Sequence, residues 1–403
     1  MHIERDHAVE PARIPRALYL VWQAKHHFES SSVRLGSVES RLLARRLRGQ
    51  PVDRPVYVTG LARAGTTITL ELLSRHPHVT THRYRDMAQP YLPYVWNRVL
   101  DRLPLPPPRP AERLHKDGIF VSRDSPEAVE ESIWKWFFPG LHDEDRSAVL
   151  DATTTNPAFE RYYRDHIGKL LLARGRRRYL AKANYNVTRL AYLVRLLPGA
   201  RFLVVVRRPT AHFASWQKQQ ELISRTHQHD RRWATATRSV GHHEFGEDQR
   251  FINVGDTDQV RQIRSAWDAG QHARAFGMYW SSIYGHVLDL ADRDPLVREA
   301  TLFVRHEDLC ATPRETIDRM LQHTALDPTA FAEIREQYAS RLAQPRYYSA
   351  SFDDAELDDL EETTAAVGRR LAYHAADLRP SPGSRPADHV SLACPPCPGG
   401  RSG

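Results

Sequence analysis

Cysteine is scarce in this chain: Cys310, Cys394 and Cys397 are its only three in 403 residues, and the last two lie in a proline-rich tail. That excludes a disulfide framework and suits a reducing compartment. The tail's C-P-P-C has no strand–helix context and reads as incidental rather than as a redox motif. Long apolar runs are missing too. Stretches such as "FLVVV" at 202–206 are far too short to cross a bilayer, and Met1 to Pro15 is charged and polar where a signal peptide needs an apolar segment. A cytoplasmic location with no membrane span is the expectation. Acidic residues are in deficit, with 57 Lys+Arg against 49 Asp+Glu, a formal charge of +8. No basic block with interleaved aromatics accompanies that excess, so a nucleic-acid partner is not expected. A membrane surface, an anionic small ligand and a merely scattered solvated surface remain, and the question becomes whether particular arginines sit at special positions.

Apolar and basic positions alternate at helical spacing over 14–50, predicting two helices and an N-terminal helical extension covering 1–50. "GQPVDRP" breaks that pattern, "VYVTG" reads as a buried strand ending in Gly60, and helical spacing runs from Thr66 to Arg75. "SPEAVEESIWKWFF" at 125–138 predicts a helix with Ser125 as N-cap and Pro126 at its first position. Further strands are expected at about 177–186, at "ARFLVVVRRP" and at 300–309, with helices after the second and third. Strands alternating with helices imply an α/β fold with a parallel sheet covered on both faces. Residues 51–375 are expected to form this domain, with a polar, histidine-rich, lid-like insertion at about 221–262. Residues 376–403 are Pro-, Gly- and Ser-rich and expected to be disordered.

The loop "GLARAGTT" follows the first strand and opens a helix, the context in which a glycine-rich turn cradles phosphate. Its glycines have the spacing of a triphosphate-binding P-loop, but Thr66 stands where that loop has lysine. The strand "FLVVV" ends in Arg207-Arg208-Pro209 and not in the aspartate that would help to hold Mg²⁺. Both departures suit an anion held without a metal ion. An atypical P-loop nucleotide kinase and a non-catalytic anion-binding protein stand as the alternatives.

These two stretches resemble the donor site of sulfotransferases that use 3′-phosphoadenylyl sulfate (PAPS). "GLARAGTT" is similar to the loop for the 5′-phosphosulfate, with pattern [KR]-[SAG]-G-[TS]-[TS]. "VVVRRPTAHFAS" is similar to the 3′-phosphate site, R-x-P followed by a serine eight residues after the arginine. The resemblance spans roughly 53–350 and is nearest to bacterial and carbohydrate-type members. It implies a P-loop-kinase-like central parallel sheet flanked by helices, with sulfuryl transfer to a hydroxyl of a carbohydrate or small-molecule acceptor, PAP as the product and no metal ion. It also implies that Ala64, Gly65, Thr66 and Thr67 hold the 5′-phosphate, that Arg63 reaches the sulfuryl or bridging oxygens, and that Arg207 and Ser215 grip the 3′-phosphate. Cytosolic members often carry tryptophan where this chain has Ile68, so adenine must stack elsewhere.

In-line transfer needs a base for the acceptor proton and positive charge for the departing oxygen. Cytosolic members place K-T-H at the strand end that is "LAKANYN" here. Lys182 matches the lysine, but Asn184 replaces the histidine and cannot take a proton. Carbohydrate-type members use a carboxylate shortly after the first helix, where Asp86 is this chain's candidate base and His82 the second. A loop-ordering pair with Arg83 or Arg85 is the competing reading of Asp86. His115 and Asp117 are further candidates near the acceptor. Glu130, Glu131, Trp134 and Trp136 suit a sugar subsite, although aromatics at helical spacing belong more often to a core. The group His227, His229, Asp230, His242, His243 and Glu244 has no standard zinc spacing and reads as part of the polar lid.

Overall fold

Five short strands form the centre of the molecule, in a computed structural model that describes residues 27–104, 110–113, 120–342 and 352–374 and the single positions 19, 20, 23 and 106. His115, Asp117 and the 376–403 tail lie outside the described residues. The strands are β1 (Val56–Thr59), β2 (Val79–Thr80), β5 (Arg178–Lys182), β6 (Arg201–Val206) and β7 (Thr301–Arg305); β3 (Ala111–Glu112) and β4 (Phe120–Val121) make a separate two-stranded hairpin. The sheet order is β2-β5-β1-β6-β7 and every pairing in it is parallel. A parallel sheet must be covered on both faces, and the side chains divide with the two-residue period of a strand. Tyr57, Tyr179, Ala181, Phe202, Val204 and Val206 join one apolar cluster with Phe159, Tyr163, Ile167, Phe276, Trp280 and Tyr284. Val56, Val58, Leu180, Leu203 and Val205 join the other, with Leu70, Leu72, Leu73, Ile317, Met320 and Leu321. The fold is α/β, a parallel sheet between two helical layers, as the alternating pattern predicts.

The helix expected over 125–138 is shorter, running Glu131–Phe137. Ser125 does not cap it. Its Oγ accepts from the Ser122 amide at 3.0 Å, its carbonyl accepts from Tyr84, Glu127 N–H donates to the His82 carbonyl, and Pro126 bridges Arg83. Residues 125–127 are thus bound to 82–84, and the helix starts only after that pairing ends. The strand expected over 177–186 stops at Lys182, where one short turn of helix, Asn184–Thr188, begins.

The 221–262 stretch is mostly helical. It completes Pro209–His229, forms Arg231–Val240 with Asp230 as N-cap, and runs through a turn at Gly241 towards Thr257–Asp268. Phe245, Phe251 and Ile252 tie it into the main core.

Candidate active site

The carboxyl ends of β1, β5, β6 and β7 all open on the same edge of the sheet, which is where open α/β sheets carry their ligands. The loop after β1 is held from several sides. Gly60 has φ +134°, and a Cβ there would lie 2.3 Å from the Val205 carbonyl oxygen, so only glycine lets the loop cross β6. Tyr284 accepts from the Leu61 amide at 3.2 Å and donates to that same Val205 carbonyl at 3.0 Å. His212 is buried, which together with Arg207 and Arg63 pushes its pKa down to about 3 against the bond to Ala62. The neutral ring therefore donates from Nε2 to the Ala62 carbonyl, 2.7 Å away. Gly65, at φ +108°, backs onto the ring of His306, whose pKa burial and then Arg207 push down to about 3. Gly65 is the N-cap of the helix Thr66–Ser74, so unpaired amides and the positive helix end face the mouth of the loop.

The second motif closes against the first. Arg63 Nε donates to Ser215 Oγ at 3.2 Å, and Arg207 Nη1 donates to the Arg63 carbonyl at 3.2 Å, joining segments 152 and 144 residues apart. Trp280 Nε1 fixes the Arg207 carbonyl at 3.3 Å. Arg63, Gly65, Thr66, Thr67, Arg207 and Ser215 thus lie together, with Ala64 buried beneath the loop. Arg113, which the motifs do not reach, adds another cation by donating to Thr67 Oγ1 at 3.4 Å. Clustered guanidiniums, hydroxyls and a helix N-terminus, with no room for a Cβ at Gly65, make a donor set for a phosphate-bearing anion.

Lys182 stands at the end of β5, and among the described residues its ammonium makes no hydrogen bond. Burial lowers its pKa; Glu127 and Glu244 oppose this, and Arg113 and Arg63 reinforce it. Beside it, Thr66 Oγ1 lies 3.5 Å from Asn184 Oδ1, and Asn184 Nδ2 donates to Glu244 Oε1 at 2.9 Å. Glu244 Oε2 lies 3.4 Å from His242 Nδ1. Burial would raise the Glu244 pKa, but His242, Lys182 and the Asn184 bond hold it down to about 2. Burial would lower that of His242, but Glu244 and then Glu127 lift it above the ordinary range. A carboxylate on Nδ1 leaves Nε2 of a part-exposed imidazole to accept a proton.

Asp86 sits elsewhere. It is fully buried and saturated: Arg174 Nη2 donates to it at 2.6 Å, the Arg83 amide at 2.8 Å and Asn97 Nδ2 at 3.0 Å, with His82 Nδ1 at 3.5 Å. Burial would raise its pKa, but the bond from His82 and the Arg174 charge hold it well below the carboxylate range. None of these partners belongs to the anion loop. His82 is equally enclosed, its Nε2 3.0 Å from that of His166. The geometry matches the loop-ordering reading of Asp86, with Arg174 as the partner rather than Arg83 or Arg85 side chains.

The candidate sugar subsite is core. Glu130 accepts from Tyr163 and Tyr179 at 2.7 and 2.5 Å, and Glu131 pairs with Arg189 at 2.7 and 2.9 Å. Trp134 lies fully buried beneath the Arg189 guanidinium, and Trp136 faces outward. His242 and Glu244, read from the sequence as part of a polar lid, stand two residues apart between Gly241 and Gly246.

The chain matches the model of the sulfotransferase family over residues 55–255. No curated protein matches it. Among solved structures, it is similar to sulfotransferase STF1 from Mycobacterium tuberculosis H37Rv, at 15% identity over 88% of this chain and 86% of that one, with a TM-score of 0.42. Sulfotransferase STF9 from Mycobacterium avium is 13% identical over 82% and 80%, at 0.47. The sulfotransferase domain of the Synechococcus PCC 7002 olefin synthase is 14% identical over 81% and 96%, at 0.36.

Proposed function

The chain belongs to the sulfotransferase family, and from that premise we propose that it moves a sulfuryl group from PAPS to a hydroxyl of a carbohydrate or small-molecule acceptor. The observation that carries this reading is the junction of the two anion motifs, where Arg63 meets Ser215 and Arg207 holds the Arg63 carbonyl. When bound, PAPS supplies the sulfuryl group and leaves as PAP. Gly65, Thr66, Thr67 and the Ala64 backbone hold the 5′-phosphate, and Arg207 and Ser215 hold the 3′-phosphate. Arg63 and Arg113 balance the remaining negative charge, and Lys182 offsets charge developing on the departing oxygen.

For the acceptor proton we put His242 in place of Asp86 and His82. Its Nε2 takes the proton while Glu244 keeps Nδ1 protonated and stabilises the resulting imidazolium. Asn184, which cannot itself act as a base, steadies Glu244 through its amide. Residues 51–375 serve as the catalytic unit, with 1–50 as a helical extension and the insertion at about 221–262 as its lid. The cysteine content fits a cytoplasmic setting.

Thermal denaturation in EDTA tests the donor assignment, because PAP at saturating concentration should raise the melting temperature. No shift with PAP but a shift with Mg²⁺–ATP would replace this reading with a nucleotide kinase. A PAP shift with PAPS left intact across a broad acceptor panel would leave only anion binding.

A further inference from the structure

The surface carries a second non-random feature. Ten large apolar side chains are strongly exposed among the described residues, and eight of them lie on two stretches, Leu20, Phe28, Leu35, Val38 and Leu42, and Val95, Val99 and Leu103. Phe28, Leu35, Val38 and Leu42 recur at intervals of seven, three and four, a single stripe along the helix Glu29–Leu42. Val95 and Val99 repeat the pattern on Pro93–Leu100, and Leu103 follows just beyond it. The two helices adjoin, since Glu39 Oε1 accepts from the Val95 amide at 2.6 Å and the Arg46 and Arg98 guanidiniums both lie over the Tyr94 ring. The opposite side of the first helix, with Ser32, Val33, Gly36, Glu39 and Ser40, is already spent on the protein interior.

Charge says what covers this face. Arg34, Arg41, Arg45, Arg48, Arg98 and Arg102 are exposed around the apolar rows, and none has a carboxylate partner among the described residues. Some surface arginines elsewhere are paired, as Arg195 with Asp294, Arg238 with Asp248 and Arg370 with Asp289 and Asp292. The acids near this face are already engaged: Glu39 with buried Lys169, Asp101 with Arg85 and Glu29 with Tyr91. A second copy docked by twofold symmetry would bring unpaired arginines against unpaired arginines. A nucleic acid would neutralise the arginines but leave the leucines in water.

We propose that this face binds the surface of an anionic lipid bilayer. Phe28, Leu35, Val38, Leu42, Val95 and Val99 enter the boundary between headgroups and acyl chains, and the arginines contact headgroup phosphates. The helix lies in the membrane plane and does not span it.

Co-sedimentation of the full chain with vesicles provides the test. The protein should pellet with an equimolar phosphatidylglycerol–phosphatidylcholine mixture, stay in solution with phosphatidylcholine alone, and be released by added salt. Leu35→Ser with Leu42→Ser, and separately Arg34→Gln, Arg41→Gln and Arg45→Gln together, should each cut the bound fraction about tenfold or more, with the melting temperature unchanged. Equal binding to both vesicle types, or none, overturns the proposal. So does binding that survives the leucine changes but is lost to competing duplex DNA, which points to a general polyanion surface. Dimers seen by light scattering without lipid, and dissociated by Leu35→Ser, assign the face to a second copy. The PAP thermal shift is measured in parallel and reads the donor site independently.

Discussion

Asp86 and Glu244 are both acidic groups held below their ordinary pKa by a cation and a histidine, yet they sit in opposite settings. Asp86 receives bonds from Arg174, Asn97 and the Arg83 amide in a site closed to solvent. Its charge is fully spent on holding the turn after β2 against the helix Pro157–Arg174. Glu244 receives one bond from Asn184, stands beside Lys182 and shares its second oxygen with a part-exposed histidine. A depressed pKa alone does not distinguish structural from reactive carboxylates. What separates them is access: the histidines beside Asp86 are closed to solvent, whereas His242 beside Glu244 is part-exposed.

Removing the reactive pair should have the largest effect. His242→Gln is expected to lower kcat by about 10²- to 10⁴-fold while PAP affinity stays within about threefold, read by steady-state kinetics and calorimetry. If Asp86→Asn abolishes turnover of the folded enzyme and His242→Gln does not, the two roles are reversed. Asp86→Asn should instead reduce stability by about 3 kcal/mol, because Arg174 loses its buried partner, with near-normal turnover per folded molecule. The pH dependence follows from the sign of the shift. With its folded pKa depressed, Asp86 stabilises fully above the ordinary carboxylate pKa of about 4, and that contribution disappears as pH falls through the folded value. Acid denaturation curves of Asp86→Asn should lack this component.

Arg207→Ala touches neither carboxylate. It should weaken PAP binding by about 1.5–3 kcal/mol and leave the pH profile alone; unchanged affinity removes it from the donor site. The smallest effect is the most diagnostic. His242 must be neutral to accept a proton, so kcat/KM should rise with pH through a value above the ordinary histidine range. In the residual activity of Glu244→Gln that limb should move to lower pH, because the carboxylate that raises the histidine pKa is gone. A limb that stays put denies the coupling.

The sheet and the two stretches that meet at its edge, the loop after β1 and the end of β6, were legible in the sequence because their chemistry is local. Gly60, Gly65 and the β-branched strands carry their conformations in their own backbones, and Arg207 sits at a fixed offset from the strand it ends. The proposed base, His242, was not legible, since its partner Glu244 reaches Asn184 across 60 residues of chain with no shared periodicity. The surroundings of Asp86 were hidden for the complementary reason. Its position after the first helix was right for a base, but Arg174, 88 residues away, had already claimed it. Ser125 and Pro126 likewise looked like a helix start until their pairing with 82–84 was known.

The way the loop is propped has a consequence for synthesis. Its supports come from late in the chain: Val205 beneath Gly60, Tyr284 on Leu61, and His306 behind Gly65. The segment matching the family ends at residue 255, before two of those three have been made. A nascent chain emerging from the ribosome can pair β5, β1 and β6 and bring Val205, His212 and Ser215 to the loop, yet the supports from Tyr284 and His306 wait until β7 and the start of the following helix are out. The bracing of the loop is therefore completed late in the life of the polypeptide, by contacts spanning more than half its length.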